Sequence, residues 1–528
     1  MTDEHEFDEA VESFFDAPRG RKDFLFDSAK ILAAAAVAGP FFMAEKQAHA
    51  AIAASTSAAA GDPIAAGAVA AAKQYAGATL VKTNEAGLQA LDDKNFTGPL
   101  WEKLTGIKVK VIESPFAQIY SKVIAEHIAG TGGIDVIDGS PVWIPDFAER
   151  GVIDAIDPWI TKYKAQSTLN DYHPLYRSLM KYKGKTWGYF DDGDVWNLYY
   201  RKDIFADPKL RAAYKAKFKR NLRVPKTWDE FTETSQFITD QMAPKVYGGG
   251  EGRGLGNPGN QFYFFQQFRA RGGQFFNPQT MKAEINNAIG VRAMESIMKE
   301  LKASAPGIEK LDFVSSWVNW LGGKTAMIYA WPPTGRISEN YAQRDKAFSF
   351  LPKSKVVGKV GYALMPQLNG EHAGSFVKSV SSDSKHKEAA YLFNQWATSP
   401  SISLQRVQLP YTLRDAYRIS HYRSKQFASR WPSAKQYLHA LNDAANNAVL
   451  DPIMTGAADY ANALDRAMTA IYAGTDVQKG LDTAAAEWDR ITNKLGVEKQ
   501  KASYAAFLKL PGSTSQNTVA KRGLAVKL

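Results

Sequence analysis

From Ala78 onward the apolar residues of this chain switch repeatedly between a spacing of two and a spacing of three to four, and that alternation restricts it to few folds. Residues 78–81 read as a strand, 96–104 as a short helix, 107–111 as a run with the two-residue period, 119–128 as a helix and 134–137 as a buried parallel strand ending in a loop. Strands separated by helices build a sheet with right-handed crossovers, so the class is α/β. A second region follows, with a strand at 196–200, a helix over 228–242 opened by Thr227, an aromatic helix over 260–270 and a strand at 326–330. From Lys385 the pattern turns helical, over 387–398, 434–445, 459–473 and 477–495, and no internal repeat is visible.

At 528 residues the chain exceeds what one core holds, since single cores stop growing at roughly 250–300 residues, so two lobes are expected. With 45% hydrophobic and 23% charged residues it does not have the composition of disorder. Residues 51–77 are rich in Ala and Gly, which predicts a flexible or weakly helical lead-in with the folded part beginning near Ala78, and residues 501–528 read as a C-terminal tail.

The first fifty residues have the order of an export signal: Arg19, Arg21 and Lys22, then an apolar run over 31–44, then Ala48-His49-Ala50 as an A-x-A site. Cleavage after Ala50 and periplasmic localisation are expected. The run is short of the about 20 strongly apolar residues that a spanning helix needs. Arg21-Lys22-Asp23-Phe24-Leu25 resembles the twin-arginine export motif with Lys in place of the second Arg, which leaves the Tat and Sec routes both open. The net charge is +11, and removing a leader that holds five more acidic than basic residues brings it to about +16. The Lys and Arg are dispersed and no nucleic-acid motif accompanies them, so no nucleic-acid partner is expected. The absence of Cys excludes disulfides, thiolate metal sites, a Cys nucleophile and a lipidated cysteine.

Three nominal motifs fail on inspection. Gly322-Gly323-Lys324-Thr325 ends like a phosphate loop, but Val318 stands where its first glycine belongs. Gly254, Gly256 and Gly259 match the dinucleotide spacing inside a longer Gly-rich loop without a clear preceding strand, which reads better as a loop lining a cleft. Asp191-Asp192-Gly193-Asp194 resembles a cation site but lacks a spaced Glu and is too short for a calcium loop, so ligand hydrogen bonding or a turn is the better reading. The eight His are scattered, and no local hydrolase signature is present. No catalytic residue, metal or cofactor is expected.

Several phrases, in one order, resemble family 1 of the extracellular solute-binding proteins, the maltose-binding-protein-like proteins that serve sugar-importing ABC transporters. They are Leu104-Thr-Gly-Ile-Lys-Val-Lys-Val111, Gly133-Ile-Asp-Val-Ile-Asp138 with Phe147 to Gly151, Asn197-Leu-Tyr-Tyr-Arg-Lys-Asp203, Pro225-Lys-Thr-Trp-Asp-Glu-Phe231, Gly323-Lys-Thr-Ala-Met327 with Trp331, Gly361 to Pro366, Ser384 to Pro400, Asp451-Pro-Ile453 and the Trp488 helix. The resemblance covers residues 78–497. It implies the type II two-lobed periplasmic binding fold, with 78–192 and 370–410 in lobe 1, 193–369 and 411–500 in lobe 2, and crossings near 191–198, 364–376 and 409–415.

The family also implies a ligand between the lobes. A sugar or polyol needs aromatic platforms for its C–H faces and planar donors and acceptors for its hydroxyls. By resemblance these are Trp331 after its strand, Asn260 and Phe262 on the helix facing the ligand, and Asp138 and Trp143 on the loop after the cleft strand. Asp192, Asp194 and Trp196 flank the first crossing, and Tyr411 and Arg414 the third. Duller roles are available, with Phe262 as core and Arg414 as partner of a hinge carboxylate. The implied function is binding with lobe closure by a monomer that delivers its ligand to membrane permease subunits, and not catalysis. Two alternatives remain open here, a binder of organic phosphates or anionic polyols and a periplasmic carbohydrate-active enzyme with a carboxylate pair across the cleft.

Overall fold

The structure, a computed structural model, describes residues 61–254, 259–341, 351–372 and 374–528. The leader and Gly256 of the Gly-rich loop lie outside the described residues.

Leaving aside the helix Pro208–Phe218 and several short helices and strands, the elements in chain order begin with helix α1 (Pro63–Ala72), strand β1 (Thr79–Glu85), helix α2 (Gly98–Thr105), strand β2 (Lys108–Ser114), helix α3 (Phe116–Ala129) and strand β3 (Val136–Gly139). Strand β4 (Tyr189–Asp192) leads into β5 (Asn197–Arg201), followed by α4 (Trp228–Met242), α5 (Asn260–Ala270), α6 (Ala288–Lys302) and α7 (Phe313–Leu321). Next come β6 (Met327–Ala330), α8 (Pro333–Ser338), β7 (Val360–Ala363) and β8 (Phe376–Val380). The remainder is mostly helical: α9 (Lys387–Ala397), α10 (Pro400–Arg406), α11 (Ala434–Asn446), α12 (Ala457–Tyr472), α13 (Val477–Leu495) and α14 (Val497–Leu508).

Two sheets divide these elements. The first runs β2-β1-β3-β8-β4, parallel among β1, β2 and β3, with β8 antiparallel to both of its neighbours. In the second, β5 is central and antiparallel to β6 and β7. The chain passes from the first sheet to the second between β4 and β5, and returns between β7 and β8. It passes over again after α10, because α10 packs on α1 and α9 beside the first sheet whereas α11 packs on β5 and β7. Two α/β lobes joined by three crossings are the result.

Local chemistry fixes several of the elements. Thr227 accepts the Glu230 amide at 3.1 Å and opens α4 where the sequence places that start. The all-buried pattern of β3 and β8 suits strands covered on both faces.

The structure differs from the sequence reading at both ends. The folded part begins before Ala78, with α1, whose Ala65, Ala68 and Ala72 have no exposed surface and press on α9. Asp62 caps that helix, accepting from Ile64 N at 3.0 Å, and also accepts from Ser401 N at 2.9 Å. Alanine composition predicts weak burial, but small side chains let two helices approach closely. Residues 501–528 are not a loose tail. Helix α14 runs to Leu508, Val519 is fully buried, and Asn442 and Asn446 donate to Val526 O at 2.9 and 3.0 Å. Side-chain amides hold this segment, and amide bonding leaves no apolar period to read.

Candidate functional site

The three crossings meet at one place. Gly193 N donates to Asp415 O at 3.3 Å, and a Cβ on Gly193 would lie 2.0 Å from Ala416 O, so the first and third crossings approach as closely as glycine allows. Asp194 N donates to Ser375 Oγ and Ser375 N to Asp194 Oδ2, each at 3.1 Å, which ties the first crossing to the second. Beside them Gly374, at φ +86°, faces both Asp194 Oδ2 and Trp331 Nε1, 3.8 and 3.9 Å from where its Cβ would stand.

On the lobe 1 side of this junction lies a buried ionic cluster. Lys82 donates to Asp93 and Asp138 at 2.7 Å each, and Lys378, directly across the strand pair from Asp138, lies 3.3 Å from it and 3.1 Å from Asp191. Arg406 holds Asp92 at 2.6 Å and also binds Asp191. Arg414 reaches Asp138 at 2.8 Å and Asp191 at 3.1 Å. Four cations thus face four carboxylates, all with essentially no exposed side chain. Burial opposes charge throughout, but Lys378, Lys82 and the arginines outweigh it and hold Asp93 and Asp138 below the usual carboxylate range. Asp191 is held down in the same way, chiefly by Arg406. Neutralised pairing of this kind costs desolvation, so it fixes geometry more than it adds stability.

Three further carboxylates, Asp192, Asp194 and Asp415, have oxygens within 4.8 Å of one another. Asp192 accepts from Gln89 Nε2 at 2.6 Å and from Asp415 N at 2.8 Å, and Asp415 accepts from Arg336 at 2.7 Å. Burial, and then the charge of Asp415, push Asp192 well above the ordinary carboxylate range. Burial followed by the charges of Asp192 and Asp415 does the same to Asp194. Burial raises Asp415 to about 7 against the pull of Arg336. Half-buried Glu85, at the end of β1, is also pushed up to about 7 by desolvation.

The lobe 2 side is aromatic. Trp196 and Trp331 meet edge to face at 4.9 Å, and Phe262 lies 6.2 Å from the first and 5.9 Å from the second. Tyr263 and Phe313 extend the wall against Trp196 and Trp331. Strand β6 ends at Ala330, and Pro332 and Pro333 keep it from continuing beyond Trp331, which keeps 9% of its surface exposed. Polar groups on these elements lack partners: Trp196 Nε1 in the wall, both amide atoms of the next residue, Asn197, and both of Asn260 at the start of α5 are buried without a hydrogen bond. Unpaired buried polar atoms are rare in folded proteins, and a bound ligand is one explanation for them.

Of the residues expected from sequence, Asp138, Asp192, Asp194, Trp196, Phe262, Trp331 and Arg414 come together around the junction. Arg414 does pair with carboxylates, as its duller role requires, and through them it links Asp138 to Asp192. Asn260 opens α5, with its backbone N donating to Asp465 at 2.9 Å. Tyr411 is buried in the third crossing. Trp143 is not brought to the aromatic wall. It packs with Phe116, Tyr120 and Phe147 in a separate lobe 1 core, because Gly139 gives its ring a seat on β3. Sequence reasoning missed Asp415, Asn197, Gln89, Glu85 and the two lysines. Lys378 was legible as a charge inside the largely apolar run Phe376–Val380, where an unpaired ammonium is too costly to keep, whereas Lys82 stands among Thr, Asn and Glu and gave a weaker signal. Asp415, Asn197 and Gln89 carried no such signal.

Residues 82–402 match the family described as bacterial extracellular solute-binding protein. The chain is 27% identical over 305 residues to a probable amino-acid ABC transporter periplasmic-binding protein of Sinorhizobium fredii, a match covering 56% of this chain and 64% of that relative's own length. In fold it is similar to an ABC transporter solute-binding protein of Agrobacterium radiobacter solved with ribitol, with a TM-score of 0.64, 21% identity, and 79% of this chain and 99% of the other covered. It is equally similar to one of Agrobacterium vitis solved with D-mannitol, at TM-score 0.64, 22% identity and 79% and 99% coverage. No helix among the described residues is long and apolar enough to cross a membrane.

Proposed function

The chain belongs to the bacterial extracellular solute-binding proteins, and from that premise we propose that it is the periplasmic binding component of an ABC importer, closing its lobes on a sugar or polyol. One observation carries this reading. At the junction of the three crossings Gly374 adjoins both Asp194 Oδ2 and Trp331 Nε1, Trp331 meets Phe262 edge to face, and the buried polar atoms of Trp196, Asn197 and Asn260 have no partner. That combination is what a ligand with C–H faces and a rim of hydroxyls requires. The relatives solved with ribitol and mannitol carry ligands of this kind.

Closure is the mechanism. Rotation about residues 193–196, 364–375 and 407–418 brings the ionic cluster and the aromatic wall onto opposite sides of the ligand, and no bond is made or broken. Cleavage after Ala50 releases the mature protein, and the permease subunits receive the closed form. An anion reading sits badly with a junction where three carboxyl groups, Asp192, Asp194 and Asp415, crowd together and the nearby guanidiniums are already paired with carboxylates. A glycosidase reading sits badly with carboxylate oxygens within 4.8 Å, closer than the roughly 5–9.5 Å pair such chemistry uses.

The test is a thermal-shift and tryptophan-fluorescence panel of pentitols, hexitols, mono- and disaccharides on the mature chain, with product analysis. A saturable shift with unchanged ligand, weakened at least tenfold by Trp331→Ala, is expected. Turnover of a glycoside, or tight binding of phosphorylated polyols alone, would overturn the proposal.

A further inference from the structure

The ionic cluster balances itself, and the junction beside it does not. Lys82, Lys378, Arg406 and Arg414 are taken up by Asp92, Asp93, Asp138 and Asp191, while Arg336 is taken up by Asp415. That leaves Asp192 with a 3.7 Å share of Arg414, and among the described residues no cation lies within ion-pair distance of Asp194 or Glu85. Asp415 Oδ2 is buried without a hydrogen bond.

A second observation points to an occupant. Asn197 is fully buried and neither of its amide atoms has a partner. Side chains alternate along β5, so Asn197 shares a face with Tyr199. Tyr199 packs on Gly335, as does Tyr437, whose hydroxyl reaches Asp415 Oδ1 at 3.4 Å. Asn197 stands nearer the crossing than Tyr199, on the face where the Tyr437 hydroxyl reaches Asp415.

We propose that the ligand is a hydroxyl-rich amine, an amino sugar or amino polyol, whose ammonium is seated among Asp192, Asp194 and Asp415 while its carbon body lies against Trp196, Trp331 and Phe262. This rests on the reading above and narrows it. An ammonium offers three donors to the carboxylates and is attracted to aromatic faces. A divalent metal fits less well, because the guanidiniums of Arg336 and Arg414 already touch this carboxylate group and the remaining wall is apolar. The groups facing Asp194 are Asp192, Asp415 and Glu85, with Arg414 and Arg336 behind them and the Tyr176 hydroxyl on Gly193 O. Their crowding lets the empty site hold protons that an incoming cation displaces.

The experiment is calorimetry on the mature chain with matched pairs, D-glucitol against 1-amino-1-deoxy-D-glucitol and D-glucose against D-glucosamine, with N-acetyl-D-glucosamine and CaCl2 alone as further arms. The amine is expected to bind at least tenfold tighter than its neutral partner. Binding should release protons, seen as a buffer-dependent enthalpy, and tighten as pH rises through about 7. Asp194→Asn should abolish the preference of the amine over its neutral partner, whatever it does to the affinity for the neutral partner itself. If Asp194→Asn fails to fold, the buffer dependence of the wild-type protein decides the matter. Equal or tighter binding of the neutral partners overturns this proposal and leaves the sugar or polyol reading standing. Binding of CaCl2 alone, lost in Asp194→Asn, overturns it in favour of a metal. Binding of none of the hydroxylated probes overturns both.

Discussion

Replacing Arg414 by Met should strand several buried carboxylates at once. Its guanidinium lies within 4 Å of five carboxylates: Asp138 at 2.8 Å, Asp191 at 3.1 Å, Asp93 at 3.6 Å, and Asp92 and Asp192 at 3.7 Å. All are buried, so Met fills the volume but leaves four carboxylates with three cations. Removing one partner of a buried pair costs about 3–5 kcal/mol. For a mature chain of 478 residues (528 − 50), unfolding entropy near 2.1 cal/mol/K per residue gives roughly 1 kcal/mol/K, so Tm should fall by about 3–5 °C. The pH dependence supplies an internal check. Asp93, Asp138 and Asp191 are held below the usual range in the folded protein, so their contribution is present above about pH 3.9 and is lost as pH falls through the folded values. Without Arg414 the remaining carboxylates take up protons more readily, and the deficit against wild type should shrink between pH 7 and pH 4.5. The double variant Arg414→Met/Asp138→Asn should recover at least about 1 kcal/mol, as coupled neighbours do. Urea and thermal denaturation of ligand-free, refolded protein measure all three. A single variant within about 1 kcal/mol of wild type at pH 7, or a double variant additive in its parts, would refute the reasoning.

Asp194→Asn should stabilise the ligand-free protein at pH 8 and leave it unchanged at pH 4: a carboxylate raised on folding contributes fully below about pH 3.9 and loses that contribution as pH rises through its folded value. Urea midpoints at the two pH values check it, and a variant less stable at pH 8 contradicts it. Gly193→Ala places a methyl 2.0 Å from Ala416 O and should cost about 1–3 kcal/mol by forcing the first and third crossings apart. Thermal denaturation, together with a loss of ligand-induced compaction in small-angle scattering, reads it, and an unchanged protein would mean that the crossings do not touch. Asn446→Ala removes bonds to Val526 N, Val526 O and His173 Nε2, at a cost of about 2–3 kcal/mol from net values near 1 kcal/mol each. Hydrogen exchange across residues 519–526 should quicken, and slow exchange there would show that other contacts hold the C-terminus.

What was legible in the sequence was what periodicity and punctuation carry. Thr227 before an apolar repeat opens α4, the aromatic spacing after Gly259 gives α5 its bounds, and Pro332-Pro333 keeps β6 from continuing beyond Trp331. These signals are local, and each is answered within a few residues. The ends of the chain were misread because their burial does not depend on large apolar residues. Ala65 and Ala68 bury by being small, and Val526 is held by the amides of Asn442 and Asn446 some 80 residues away.

The site divides along the same line. Asp192, Asp194 and Arg414 could be chosen because the family resemblance places crossings beside them, and Trp331 because the same resemblance places an aromatic after its strand. Whether such a residue is occupied or free is a different question, answered only by its neighbours from the other segments. Arg414 and Asp415 are adjacent in sequence, yet the first turns into lobe 1 to balance Asp138 and Asp191 while the second turns to Arg336 and the junction. A count of charges along the chain gives an excess of cations. Once each buried ion is paired with the partner it meets, the junction is left with carboxylates and no free cation among the described residues. At the proposed site a ligand therefore meets carboxylates and the protons they hold, not the cationic excess that the composition of the chain suggests.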